Sequence, residues 1–324
     1  IIKPREEVHF GQKIAEAASP MAAPVHAPAK GTTGPGTMAV LPSGKRVPAI
    51  PLTPVADEES IPRNFLAQFL DRNWDGVEPG RYDPDEICEI IRECGVVGMG
   101  GAAFPTHIKL KRNPQRPIDT LIVNGCECEP YLTSDHRLML ESPEAIVVGA
   151  QLAAHACGAG RAIIAIEANK PDAIEAVRRA VKGRPALEVA VCATKYPMGG
   201  ERQLIPAVLG RTVPSAPQGL PLDVGVVMVN VATAHSIARA VVRKAPLTHR
   251  VVTVTGGGVR EPANWLVPLG MRFSEVVEAS GGLAPDTLKV VAGGPMMGPT
   301  VPHLDVTVVK GTSGITAMTE AETA

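Results

Sequence analysis

Aromatic residues are scarce in this chain of 324 residues, with five Phe, two Trp and three Tyr. A core built on ring packing is excluded, so Ala, Val, Ile and Leu must fill it. Charge of one sign is not in surplus either: 32 Lys and Arg stand against 33 Asp and Glu, for a formal net charge of -1. That balance excludes the large cationic surface that nucleic acids and anionic membranes require. The six cysteines are scattered and form no Cys-x-x-Cys pair. Neither a disulfide-stapled secreted fold nor a ferredoxin-type cluster run is encoded, and a reducing compartment is implied. Long hydrophobic runs are missing too. The most apolar stretch, Ala145–Ile166, includes His155, Arg161 and several glycines, and falls short of the ~20 apolar residues of a spanning helix. No basic segment leads into an apolar signal core, so the chain is read as soluble. Its first residue is Ile1, which suits a piece of a longer chain.

What is abundant is backbone punctuation, with 32 Gly and 31 Pro, in a chain whose 45% hydrophobic content rules out disorder throughout. Residues 1–56 hold short apolar runs around Val8, Phe10 and Ile14, then Ala22-Ala23-Pro24-Val25-His26-Ala27-Pro28. Such runs between Pro and Gly predict a small β-sandwich without helix. An acidic linker is expected from Thr53 through Asp57-Glu58-Glu59 to Pro62.

From there to residue 247 the signals alternate between helix and strand, which predicts an α/β layered domain. Asp83-Pro84 should cap a helix running to Cys94 and ended by Gly95, and Ser142-Pro143 should open a long apolar helix through Cys157. Strands are expected at Thr120–Val123, Ala162–Ile166, Leu187–Cys192 and Val226–Val229. Residues 248–300 read strand, strand, helix, strand, the order of a β-grasp domain, and residues 301–324 show no periodicity and are read as a tail.

The residues able to carry chemistry sit in loops. Gly98-Met99-Gly100-Gly101-Ala102-Ala103-Phe104-Pro105-Thr106, followed by Lys109, lets peptide N–H groups approach an anion without Cβ obstruction. Alone, such a loop suits a ligand-free turn as well as a phosphate site. Asn124-Gly125-Cys126-Glu127-Cys128-Glu129-Pro130 follows a predicted strand, at the sheet edge where α/β proteins bind ligands, and its Glu127 and Glu129 project to one side. Tyr196-Pro197-Met198-Gly199-Gly200-Glu201 adds a Gly turn with an acid, and Asn230-Val231-Ala232-Thr233 joins a strand to a helix. Together these loops point to a nucleotide-type pocket. Cys126 and Cys128 with Asp135 and His136 lack zinc spacing, and no metal site is assigned. His155 and His235 read as ordinary helical residues, and Met296-Met297 as a packed pair.

In that order, GMGGAAFPTHIK, NGCECEP, YPMGGERQ and VNVATA resemble the FMN- and NADH-binding motifs of the complex I flavoprotein subunit. With NGCECEPYLTSDHR, VTVTGGGVREP and GGPMMG added, the chain more closely resembles the NADH-oxidising flavoprotein subunits of Rnf/Rsx ion-translocating electron transport complexes, the family designated C among their subunits. A cobalamin-reductase family shares the same plan. The N-terminal motifs resemble lipoyl- or biotinyl-carrier half-barrels, although the tip, Glu16–Met21, has no Lys for a swinging arm.

The resemblance implies a multi-domain α/β protein. A carrier-like β half-barrel sandwich (1–56) precedes an FMN/NADH-binding α/β domain (57–247), and a β-grasp domain of SLBB type (248–300) leads through the tail (301–324) toward a ferredoxin-like domain with two [4Fe-4S] clusters that this chain does not contain. It implies that Gly98, Gly100, Gly101 and Lys109 hold the FMN phosphate and ribityl chain. Asn124, Glu127, Gly199, Asn230 and Thr233 would line the flavin, Phe104 would stack on the adenine of NADH, and Glu129 and Glu201 would border its nicotinamide. Cys126 and Ala232 depart from complex I, which has Asp and Glu there.

The implied activity is an NADH dehydrogenase that passes hydride from NADH to FMN and then electrons to iron–sulfur clusters and ferredoxin. The implied setting is peripheral, on the cytoplasmic side of the cell membrane, among the other subunits of the complex. The competing readings are a cobalamin-reductase-type flavoprotein and a non-catalytic scaffold subunit.

Overall fold

The computed structural model describes residues 2–55, 60–215 and 219–323, so the expected linker residues Asp57–Glu59 lie outside the described residues. The chain divides into two compact units, one of Ile1–Phe69, Glu129–Ser134 and Pro246–Ala324, the other of Leu70–Cys128 and Asp135–Ala245.

In the first unit, the N-terminal segment is built of seven short strands: β1 (Glu7–Val8), β2 (Lys13–Ala15), β3 (Val25–His26), β4 (Gly31–Thr33), β5 (Thr37–Val40), β6 (Arg46–Ala49) and β7 (Leu52–Pro54). They pair as a three-stranded sheet β1-β4-β7 and two ribbons, β2-β3 and β5-β6; Val8, Ile14 and Ala27 form a core with Leu52 of β7, while Val40 of β5 packs against a second core that includes Val252 and Phe273. Helix α1 (Phe65–Phe69) closes the segment. The Phe65 ring meets Phe10 at 5.0 Å and His249 at 4.6 Å between centroids. With the Phe69 ring 6.2 Å from that of Phe65, three of the scarce phenylalanines are spent in one cluster.

The second unit holds helices α2 (Pro84–Glu93), α3 (Thr106–Leu110), α4 (Ser134–Glu141), α5 (Pro143–Cys157), α6 (Pro171–Val181), α7 (Glu201–Leu209) and α8 (Val231–Arg243), with strands β8 (Thr120–Gly125), β9 (Arg161–Glu167), β10 (Leu187–Cys192) and β11 (Val226–Asn230). Helix α2 starts where Asp83 accepts the N–H groups of Asp85 and Glu86, and Gly95 turns the chain at φ 68°. All four strands are parallel, in the order β10-β9-β8-β11. Buried runs such as Thr120–Val123 and Ala162–Ile166 suit a sheet covered on both faces. The chain leaves β8 through β9 to β10, then returns to the far side of β8 as β11. The order reverses at β8, and it is outside the carboxyl ends at such a point that open α/β sheets bind ligands.

The first unit resumes at Pro246 with β12 (His249–Thr255), β13 (Ala263–Pro268), α9 (Phe273–Ala279), β14 (Thr287–Ala292) and β15 (Gly314–Thr319). The sheet order is β13-β12-β15-β14, and Phe273, Val276 and Val277 of α9 join its core. Two expectations are corrected. Residues 301–324 are not a plain tail, because β15 is an interior strand, parallel to β12 and antiparallel to β14. Met296 and Met297 are not packed: they are 53% and 77% exposed.

Helices α5 and α8 cross where a Cβ on Gly149 would stand 1.8 Å from the Ala234 carbonyl oxygen. We therefore expect Gly149→Ala to cost roughly 1–3 kcal/mol through overpacking and to lower the melting temperature. An unchanged melting temperature would contradict this close crossing.

Candidate functional site

The carboxyl edge of the parallel sheet gathers most of the residues singled out in the sequence. The glycine loop is pinched at its base, where Gly98 N–H donates to the Phe104 carbonyl at 2.8 Å and Thr106 N–H to that of Val96 at 3.4 Å. Within it Gly101 has φ 111° and Ala103 φ 50°, the left-handed region that glycine adopts freely. Met99 N–H donates to Thr233 Oγ1 at 2.9 Å, fastening the loop to the first turn of α8. A Cβ on Gly100 would touch Asn230 Cβ at 3.4 Å, whereas one on Gly101 would meet nothing within 4 Å. The loop is thus packed on one side and open on the other.

Asn124 and Asn230 are register partners at the ends of β8 and β11. Asn124 Oδ1 accepts the Cys126 N–H at 3.0 Å, and its Nδ2 donates to the Gly199 carbonyl at 2.9 Å. Asn230 caps α8, accepting the Ala232 N–H at 2.8 Å, while its Nδ2 donates to the Asp135 carboxylate. Gly199 is required by close approach: a Cβ there would lie 2.6 Å from the Cys126 carbonyl oxygen. Lys109 Nζ donates to the Met228 carbonyl at 2.8 Å and to Glu201 Oε1 at 3.2 Å, so these two expected binding residues meet each other. Phe104 is 38% exposed, an aromatic face outside the cores that took the other phenylalanines.

Glu129 belongs to the other unit, the first, where its carboxylate accepts the Met296 N–H at 3.0 Å. There Gly294 makes room for it, since a Cβ on Gly294 would lie 2.4 Å from Glu129 Oε2. The cysteines and their neighbours have partners of their own. Cys126 hydrogen-bonds Cys192; that bond and burial push the Cys126 thiol up, while the same bond, against burial, draws Cys192 below its usual range. His136 Nε2 meets Asp172 Oδ1 at 2.9 Å.

Two charged groups escaped sequence reading because they lie in a short polar stretch that reads as a solvated turn. Glu167 and Lys170 are 1% and 6% exposed, and Lys170 Nζ stands 3.3 Å from Glu167 Oε2. The only local signal was a Lys where α6 starts, a position that prefers Ser, Thr, Asp or Asn.

The family model of the Nuo51 FMN-binding domain matches residues 91–239, and that of the SLBB domain matches residues 251–300. The subunit designated C of the Na(+)-translocating ferredoxin:NAD(+) oxidoreductase complex of Acetobacterium woodii is 38% identical over 99% of this chain and 70% of its own length. The chain belongs to that subunit family. The corresponding subunit of the proton-translocating complex of Clostridium ljungdahlii is 45% identical over 77% of this chain and 53% of its own length, and that of the ion-translocating oxidoreductase complex of Rhodobacter capsulatus is 41% identical over 100% and 60%. The chain therefore spans between about half and 70% of the length of these family members. Among solved structures, the NAD+-reducing [NiFe]-hydrogenase in the H2-reduced state matches with a TM-score of 0.59 and 26% identity, over 74% of this chain and 47% of that one.

The edge lies within the residues matched by the FMN-binding family model, and its donors suit the phosphate of such a group. The open space over Gly101 would admit a phosphate, and loop amides, the start of α8 and the Lys109 ammonium are the donors a dianion requires. Gly98, Gly100, Gly101 and Lys109 would hold it, with Asn124, Gly199, Asn230 and Thr233 around the ring system.

Glu127 adds a titrating group. Its two oxygens accept the N–H groups of Asp135 at 2.9 Å and His136 at 3.0 Å, capping α4. Burial, and then repulsion from Asp135, push its carboxyl up to about 7 against the pull of those N–H groups and Lys170. A carboxyl raised in the folded state stabilises the fold below its unfolded pKa, and that contribution is lost as pH rises through the folded value near 7. Glu127→Gln removes the titration. We therefore expect the melting temperature of the variant to gain on that of the wild type between pH 5 and pH 8. A difference independent of pH would contradict the raised carboxyl.

Proposed function

We propose that this chain is the flavin-holding, NADH-oxidising part of its subunit, and that its site lies at the carboxyl edge of the parallel sheet. The observation that carries the reading is the Met99–Thr233 hydrogen bond. It joins a glycine loop to a helix start at the point where the strand order reverses, within the residues matched by an FMN-binding family model.

FMN, when bound, supplies a two-electron acceptor for the hydride of NADH. The chain's own work is placement. The loop amides and Lys109 hold the phosphate end, while the Asn124 and Asn230 side chains, fixed by Gly199 and Asp135, border the ring. Phe104 offers its exposed face to the adenine, and Glu201 stands on the nicotinamide side, tethered by Lys109. No general acid or base is needed for hydride transfer to a flavin.

In the assembled complex, electrons pass on through iron–sulfur clusters to ferredoxin. The chain then sits peripherally at the cytoplasmic side of the membrane, held by the other subunits. Among the described residues, no helix is long and apolar enough to cross a membrane.

The reading is tested by adding FMN to the purified protein and following the flavin band near ~450 nm. Stoichiometric binding, with bleaching by NADH, is expected. Failure to bind FMN would favour the scaffold reading, and binding without bleaching would remove NADH as the donor. Gly100→Val would crowd Asn230 and should abolish FMN retention in a folded protein. Phe104→Ala should weaken NADH binding by about 1–3 kcal/mol while FMN content and melting temperature hold. Loss of stability in that variant would make Phe104 a packing residue.

A further inference from the structure

We propose that the buried Glu167–Lys170 pair is the positioning element of the flavin site, holding in place the two loops that flank it. The inference rests on the FMN reading for its purpose, but the holding itself is read from the chain. Lys170 Nζ donates to the Glu127 carbonyl at 3.3 Å, gripping the segment after β8. Its partner Glu167 accepts, through Oε1, the Lys195 N–H at 3.4 Å, gripping the segment after β10. Asn169 Oδ1 takes a further Lys170 proton at 3.3 Å. The two gripped loops are also bonded to each other, by Asn124 Nδ2 to the Gly199 carbonyl at 2.9 Å and by Gly199 N–H to Cys128 Sγ at 3.4 Å.

Stability alone does not account for the pair. Two charges taken out of water gain little over apolar side chains of the same volume, whereas one left without the other is costly. Lys170 is also stationed against local preference: it precedes Pro171 at the N-cap of α6, makes no capping bond, and puts a cation where the helix dipole favours an anion. A residue that violates local rules while reaching two loops at a ligand edge is explained by what it holds. The other titratable side chains near the gripped Glu127 are Asp135, bonded to Asn230, and His136, hydrogen-bonded to Asp172.

The test compares wild type with Glu167→Leu/Lys170→Met, in which the charges are replaced together by apolar groups of similar size, and with Lys170→Arg. Melting temperature, amide hydrogen exchange without flavin, and FMN affinity by fluorescence titration are read on the same proteins. The double variant should melt close to wild type, while amides of residues 126–128 and 195–199 exchange roughly tenfold faster and those of β9 do not change. Its FMN affinity should fall by about tenfold or more, because a site must be held to within a fraction of an ångström. Lys170→Arg, which keeps a long cationic donor, should recover part of both.

Wild-type exchange in both loops of the double variant would overturn the proposal. So would faster exchange with undiminished FMN affinity. If the wild type binds no FMN, the flavin reading fails, while the exchange data still decide whether the pair holds the loops. If the double variant does not fold, Lys170→Gln carries the same exchange comparison, and unchanged loops there would equally overturn it.

Discussion

A hydrogen bond from Met99 N–H to the Thr233 hydroxyl, across 134 residues of chain, fastens the glycine loop to the start of α8. That bond makes sense only on this sheet. Because β11 returns beside β8, Asn124 and Asn230 end side by side, and the first turn of α8 rises next to them. The loop then has somewhere to dock, with Gly100 against Asn230 and Gly101 facing open space. Loop, strand ends and helix start become one surface with several N–H donors and one ammonium, the composition an anionic cofactor selects.

The polar groups behind this surface are arranged in tiers. Carboxamides fix backbone at the edge itself. Behind them, Glu127 caps α4 with a carboxyl raised to about 7, and the Glu167–Lys170 pair grips the loops on either side of β9. Burying charge beside a ligand edge costs stability that an apolar core would not, so its presence marks where geometry outweighs stability.

Much of the fold is legible because its signals are local. Asp83-Pro84 and Gly95 bound α2, and Pro143 and Gly158 bound α5, since capping and positive φ depend on neighbours in sequence. The central strands show as buried β-branched runs. What stays hidden depends on distant partners. Strand β15, Gly-Ile-Thr-Ala-Met-Thr, has no strong alternation because it is buried on both faces between β12 and β14. Helix α4 borrows its cap from Glu127, and α7 carries Pro206 inside it, which reads as a break. In the site, Gly, Asn and Thr positions stand out by their motifs. Lys170 and Glu167 look solvated until β9 and α6 bury them, and the Glu129 carboxylate accepts the N–H of Met296, far along the chain.

The measurement closest to the central claim is a crystal structure of the full chain grown with FMN. The account predicts the phosphate within hydrogen-bonding reach of the amides of Gly100 and Gly101 and the first turn of α8, with the flavin ring lying along Asn124 and Asn230. Flavin bound elsewhere, or this edge unaltered at saturating FMN, would contradict it.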